Sequence, residues 1–322
     1  MFKFQPILRS VLWGGNRIAA YKQIETELRQ IGESWEISGV EGHESVVASA
    51  PDAGLTLPEL VAKYRDKLVG ESVYARYGNE FPLLVKIIDA ERDLSLQVHP
   101  DDILSARRHG CPGKTEMWHI IEAAPGAQII AGFEREVNPG DFERMALDGS
   151  IMRAVRHYAS QAGDTFFLPP GTIHSIGAGN LLAEIQQTSN ITYRVYDYRR
   201  RDALGNQREL HTDLAREALN FGIGGEHKVL ATGSRLVACE HFVVERLSVD
   251  GRLSLPCAGI DSFVVLMCIG GELRVSCEQP LAECASQMAL YTGETLLLPA
   301  CAKQVAIAGQ ATALATWVPT KK

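Results

Sequence analysis

The spacing Gly163-x5-Pro169-x-Gly171-x2-His174 recurs later in the chain as Gly293-x5-Pro299-x-Cys301-x2-Gln304. The glycine and proline positions survive, while glutamine replaces the histidine. In each copy a short run of strand formers lies between the turn glycine and the proline. Ser262-Phe-Val-Val-Leu-Met-Cys-Ile-Gly-Gly likewise echoes Glu116-Met-Trp-His-Ile-Ile and its turn, with Glu116 falling opposite Ser262 or Asp261. A repeat of this kind means two copies of one unit. The second reads as a decayed copy of the first.

The first copy carries the chemistry. In Ser95-Leu-Gln97-Val-His99-Pro the two polar residues are two apart, so on an extended strand they share a face. Glu116 follows in Lys114-Thr-Glu-Met-Trp118. His99, Glu116 and His174 would form a two-histidine, one-glutamate metal set, with Gln97 as an oxygen donor. Imidazole and carboxylate suit Zn, Fe or Mn, and no thiolate is offered.

The Gly163–His174 pattern resembles the second signature of the cupin superfamily, whose jelly-roll barrel holds a metal inside. Where the first cupin signature usually begins with His, Gln97 stands. That substitution, together with Lys114-Thr-Glu-Met-Trp118, Thr192-Tyr-Arg-Val-Tyr-Asp-Tyr198 and Trp13-Gly-Gly15, resembles the type I mannose-6-phosphate isomerases, especially the short bacterial branch. The resemblance covers essentially the whole chain. It implies a mainly β fold of two cupin barrels with helical insertions in the first. Residues 1–222 would form the metal-binding catalytic domain and 223–322 a smaller metal-free one. It also implies one Zn2+ per chain and interconversion of mannose 6-phosphate and fructose 6-phosphate through an enediol.

Such a site must place the sugar, fix its phosphate, move a proton and stabilise the enediolate. Histidines that hold a metal cannot serve as the base, because their second nitrogens are tied as well. The resemblance makes Arg194 the active-site arginine, whose planar charge suits an enediolate or a phosphate. It places Lys114 in the pocket as a phosphate ligand or acid. Ser95, two before Gln97, is a candidate substrate contact. Glu184 is either a base or a paired carboxylate. Longer family members carry Asp four residues before the arginine; here Asn190 stands there and cannot accept a proton as a carboxylate does. The Arg199-Arg-Arg-Asp202 run is a solvated loop or adds positive potential at the pocket mouth. Two readings of other classes remain at this point: an Fe(II) cupin oxygenase, since two His and a carboxylate also describe its triad, and a non-catalytic sugar-binding cupin.

Composition narrows the class. At 322 residues the chain suits two domains, and 46% hydrophobic with 22% charged residues is ordinary for a soluble protein. A net charge of −7 argues against a general nucleic-acid binder, yet leaves room for one local basic pocket. The cysteines number seven, with no Cys-x-x-Cys pair, so free thiols in a reducing compartment are expected. Gln5, Pro6 and Arg9 interrupt any leader-like apolar run, and no stretch reaches the length of a membrane span. The expected location is the cytoplasm. Oligomeric state is not legible.

Along the chain, Trp13–Arg17 reads as a turn cluster and 33–38 as a strand. Thr56-Leu-Pro-Glu59 opens a helix whose apolar positions 60, 61, 64 and 68 run to Gly70. The run 81–89 reads as a buried strand, inside which Lys86 either has a carboxylate partner or lines the barrel as a cation. Strands are expected at 95–99, 116–121, 128–131, 164–168, 181–187 and 192–198. Helices are expected at 100–109 and 214–220, with a helical insert over 138–158. After 230 only short strands are expected.

Overall fold

The structure, a computed structural model, describes residues 1–202, 204–255, 257–281 and 283–320. It is mainly β. In the first barrel a six-stranded sheet orders its strands Thr165–Leu168, Glu116–Ala123, Asn180–Gln187, Leu83–Asp89, Ile31–Ile37 and Ile7–Gly15. A five-stranded sheet faces it, ordered Tyr193–Tyr196, Leu96–Val98, His174–Ile176, Gln128–Phe133 and Val155–Ala159. The second barrel is built from Arg235–Ala238, Val243–Leu255, Val305–Trp317, Val264–Cys277 and Gln287–Tyr291, with Thr295–Leu298 paired to Val264–Cys277. Every ladder is antiparallel, as hairpin-linked barrels require. Among the described residues all α-helices precede residue 219. None is long and apolar enough to cross a membrane.

The two barrels stand back to back across one apolar cluster. Met117, Ala183, Ile185 and Val85 come from the outer face of the six-stranded sheet, and Val265, Leu297 and Leu314 from the second barrel. The helices Leu57–Tyr64, Asp66–Val69 and Glu71–Tyr77 fill this join with Leu60, Val61, Leu68 and Val73. Phe2 exchanges backbone hydrogen bonds of 3.0 and 2.9 Å with Leu297, so the first residues are laced into the second barrel. Residues 223–229 run along the first barrel, where Val229 N donates to Thr165 O at 2.8 Å.

The capping box expected at Thr56 and Glu59 is formed, but the helix does not run unbroken to Gly70. Arg65, at φ +50°, breaks it after Tyr64. The further helix Glu71–Tyr77 has Gly70 as its N-cap and therefore no capping side chain of its own. Asp261 of the second barrel does that work, accepting from Glu71 N and Ser72 N at 2.9 Å each and from Ser72 Oγ at 2.6 Å. Gly70 sits at φ +97° with Asp261 O only 2.3 Å from where a Cβ would stand, so glycine is required.

Other expectations change too, beginning with the short strands expected after 230: Val243–Leu255, Val264–Cys277 and Val305–Trp317 are 13, 14 and 13 residues long, because each pairs along nearly its whole length with a long neighbour. The insert is helical only over Phe142–Asp148 and a 3-10 turn at Ser150–Arg153; Val155–Ala159 is an edge strand paired with Gln128–Phe133. Trp13, Gly14 and Gly15 end a strand rather than a turn, and Arg17–Lys22 is helical.

Candidate metal centre

The ligand strand Leu96–Val98 lies between two others, and its register puts Gln97 opposite both His174 and Arg194. Paired residues on neighbouring strands project from one face, so Arg194, Gln97 and His174 form a row. His99 leaves the end of that strand. It is brought beside His174 by the Pro-Pro-Gly corner, where Gly171 N donates to His99 O at 3.0 Å. Gly171 is at φ +80°, with Ala218 O 2.9 Å from the position of a Cβ. Glu116 comes from the opposite sheet, at the start of Glu116–Ala123.

His99, Glu116 and His174 are all buried, and one donor atom from each lies within 4.8 Å of the others. Each imidazole gives its Nδ1 proton to a main-chain carbonyl: His99 to Ile191 O and His174 to Thr172 O, both at 2.8 Å. Each Nε2 is thereby left with a lone pair, and the two stand 3.1 Å apart. Glu116 Oε1 is 3.1 Å from His174 Nε2, and Oε2 is 3.5 Å from His99 Nε2. Two nitrogen lone pairs and a carboxylate converge on one point. Such a constellation is repulsive without a cation, and here Lys114 supplies one. Its Nζ lies 3.0 Å from Glu116 Oε2 and 3.1 Å from His99 Nε2. Neither Glu116 oxygen accepts a well-directed hydrogen bond, so the contact with Lys114 is an ion pair alone.

The protonation states fit metal ligation. Burial drives the His174 imidazole down to about 3, and burial with the nearby Lys114 charge holds His99 well below its ordinary value. Both rings are neutral, the form that binds a metal. Burial pushes the Glu116 carboxyl up to about 7 against the pull of Lys114. A divalent cation there would relieve that penalty. The Gln97 amide completes the set on the His174 side, with Nε2 3.3 Å from His174 Nε2; rotating the amide about its terminal bond brings the oxygen there instead. The donor set therefore fits a metal ion.

The other expected site residues are distributed unevenly. Lys114 stands inside the cluster. Ser95 is buried two residues before Gln97. Arg194 is half-buried beside Gln97, but its Nη1 donates to Glu209 O at 2.9 Å and Nε has no partner. Glu184 lies one layer behind the donors, paired with Lys86 at 2.8 Å and accepting from Trp118 Nε1 at 2.9 Å. Burial works against its ionisation, but Lys86 and Lys114 outweigh that and hold the carboxyl at about 2. Of the two readings of Glu184, the paired carboxylate is the arrangement present, and Lys86 has its carboxylate. Asn190 is exposed. In the arginine run, Arg200 pairs with Asp197, which Arg208 also grips at 2.5 Å, while Arg201 is exposed.

One set of residues that holds the site escaped the sequence reading. Asp102 Oδ1 accepts from Gly113 N and Gln187 Nε2, and Gln187 Oε1 accepts from Thr115 N, each at 2.8 Å. These bonds clamp the backbone on both sides of Lys114. Gly113, whose Cβ would lie 2.6 Å from Asp102 N, was the only local signal of so close an approach.

The family model described as phosphomannose isomerase type I, catalytic domain, matches residues 1–115. The mannose-6-phosphate isomerase ManA of Bacillus subtilis is 36% identical over 281 residues, covering 84% of this chain and 86% of that protein. The mannose-6-phosphate isomerase of Streptococcus mutans is 33% identical over 301 residues, covering 92% and 91%. The crystal structure of the mannose 6-phosphate isomerase from Bacillus subtilis superposes with a TM-score of 0.85 at 30% identity over 98% of both chains. A putative mannosephosphate isomerase from Archaeoglobus fulgidus, at 23% identity, shares the fold with a TM-score of 0.81 over 99% of this chain and 97% of that one. Similarity at this level along both barrels, with a metal-ready donor cluster in the first, means that this chain belongs to the type I mannose-6-phosphate isomerase family.

Proposed function

We propose that the protein interconverts D-mannose 6-phosphate and D-fructose 6-phosphate through an enediol, with one Zn2+ per chain on His99, Glu116, His174 and the amide oxygen of Gln97. The observation that carries the reading is the convergence of two imidazole lone pairs and a carboxylate that accepts no hydrogen bond on one buried point. The names of the relatives supply the substrate, and the choice of zinc rests on the family resemblance, since imidazole, amide and carboxylate donors suit Fe or Mn as well. When bound, the ion supplies a Lewis acid for the sugar oxygens.

The chain's own groups do the rest. Lys114 brings its Nζ to the cluster, where charge develops on the enediolate or where a proton is handed over. Its backbone clamp fixes the direction of that group. Arg194 continues the Gln97–His174 row and carries a permanent charge for the phosphate or the enediolate. Ser95 offers a hydroxyl just before the Leu96–Val98 strand. Glu184, held ionised by Lys86, suits ordering the wall better than accepting a proton. We draw the division between the catalytic unit and the smaller metal-free unit after Val229 rather than at 222, because 223–229 bond along the first barrel. All seven cysteines are free thiols, which suits the cytoplasm as the location.

The test is a coupled assay for fructose 6-phosphate formed from mannose 6-phosphate, before and after chelation and with zinc restored. Activity should vanish with the chelator and return with the metal. His174→Ala should lose both zinc and activity, while Arg194→Ala should keep its zinc and lose turnover by at least about a hundredfold, the scale for removing a transition-state charge partner. A folded, zinc-loaded wild-type protein that forms no fructose 6-phosphate would sink the substrate assignment.

A further inference from the structure

Trp35, Lys86, Glu184, Trp118 and Phe166 lie directly opposite one another across five neighbouring strands. They form one row on one face of the six-stranded sheet. Two opposite charges in the middle of such a row are both buried, and an apolar pair of like volume would hold the sheet at least as well. Stability therefore does not account for the pair.

Its contacts point elsewhere. Lys86 Nζ is 5.2 Å from the centre of the Trp35 ring and 2.8 Å from Glu184 Oε1. The other oxygen, Oε2, accepts from Trp118 Nε1 at 2.9 Å. With both ends of the carboxylate engaged, the indole plane is fixed. That indole stands against the His174 imidazole, ring centres 5.4 Å apart and planes at 76°. His174 is thus held from two sides, by Thr172 O at Nδ1 and by the indole against its ring.

We propose that Lys86, Glu184 and Trp118 are positioning residues for the metal centre: the ion pair anchors the indole, and the indole sets the plane of the His174 ring. This rests on the reading of His99, Glu116 and His174 as metal donors. None of the three needs to touch the sugar. Partners behind a metal ligand of this kind shift metal affinity about 10- to 100-fold when removed.

The experiment uses the full chain, stripped of metal and reloaded with Co2+ or Zn2+. Trp118→Phe keeps an aromatic ring and removes only the donor and part of the indole; Lys86→Met removes the anchor's cation. Each should bind zinc about 10- to 100-fold more weakly in a chelator competition and shift the visible Co2+ bands, which report ligand geometry. Tyr21→Phe is the structural control. It loses a 2.9 Å bond to Ile269 O at the join between the barrels, so its melting temperature should fall while zinc affinity and the Co2+ bands stay as in wild type. If one positioning variant does not fold, the other still decides the matter. Wild-type affinity and unshifted bands in a folded Trp118→Phe or Lys86→Met overturn the positioning role and leave the metal centre standing. A wild-type protein that takes up neither ion overturns the metal centre, and the positioning role with it.

Discussion

The two barrels place the same turn in the same surroundings and put different side chains behind it. Gly163 and Gly293 both have positive φ, and a four-residue strand follows each. Thr172 N donates to Pro169 O in the first corner, as Ala302 N does to Pro299 O in the second. Register then identifies the counterpart of Glu116. Leu168, the last residue before the first corner, pairs with Glu116, whereas Leu298, before the second, pairs with Val264. The counterpart is neither Ser262 nor Asp261. Ser262 accepts from Val318 N, and Asp261 caps the helix Glu71–Tyr77. The sides of the strand correspond as well. Met117 and Val265 both face the shared core, while Trp118 and Leu266 face their own barrels. The scaffold is common to both barrels. A metal site needs polar donors as well, and the second barrel carries Val264 where Glu116 stands and Gln304 where His174 stands.

Three substitutions break or sharpen this comparison. Glu116→Val copies the second barrel into the first. It should remove zinc and lower turnover by at least about 10³-fold, or ~4 kcal/mol at ~1.4 kcal/mol per decade. The metal-free variant should also melt below metal-free wild type, because Lys114 would be left buried without the carboxylate it pairs with. Zinc analysis and calorimetry check both halves, and a variant that retains zinc would remove Glu116 from the donor set. Val264→Glu is the reverse exchange. It buries a carboxylate among Leu266, Leu296 and Leu298 with no imidazole to share a metal, and should cost ~3 kcal/mol or more in urea unfolding without adding a zinc. A second equivalent of zinc there would show that the decayed barrel lacks only its carboxylate.

Asp261→Ala should be the mildest, at ~1 kcal/mol, the usual worth of an N-cap. Burial tends to raise the Asp261 carboxyl, but Ser72, Glu71 N and Lys303 hold it below the usual carboxylate range. A depressed folded value means the stabilisation is complete above the unfolded aspartate value, about pH 4, and fades as pH falls through the folded one. Wild type and variant should therefore converge in acid, as unfolding curves across that range would show. A gap that persists would mean that Asp261 matters through packing instead.

The donor residues were legible because metal ligation demands particular side chains at particular turns, and the Gly–Pro spacing survives in sequence. The fold class followed from the family resemblance that this spacing carries, and the repeat added the second copy. What escaped lies in contacts between distant segments. Glu71–Tyr77 has no local N-cap, since its cap is Asp261. The partner of Lys86 depends on strand register, which no single strand reveals. Ile151, Val155 and Tyr158 have helical spacing, yet 155–159 finds a sheet edge at Gln128–Phe133, and that pairing overrides the local pattern. Glu116 could not be matched to Val264 without knowing how the long strand Val264–Cys277 bends.

The lacing of Phe2 to Leu297 also orders events in time. At ~5–20 residues per second, a ribosome makes the later partner roughly 15–60 s after the earlier one. His174, the last of the donors, emerges well before that seam can close. The metal centre therefore belongs to the early-made part of the chain, whereas the core between the barrels must wait for the end of synthesis, with the outer face of the six-stranded sheet uncovered until then.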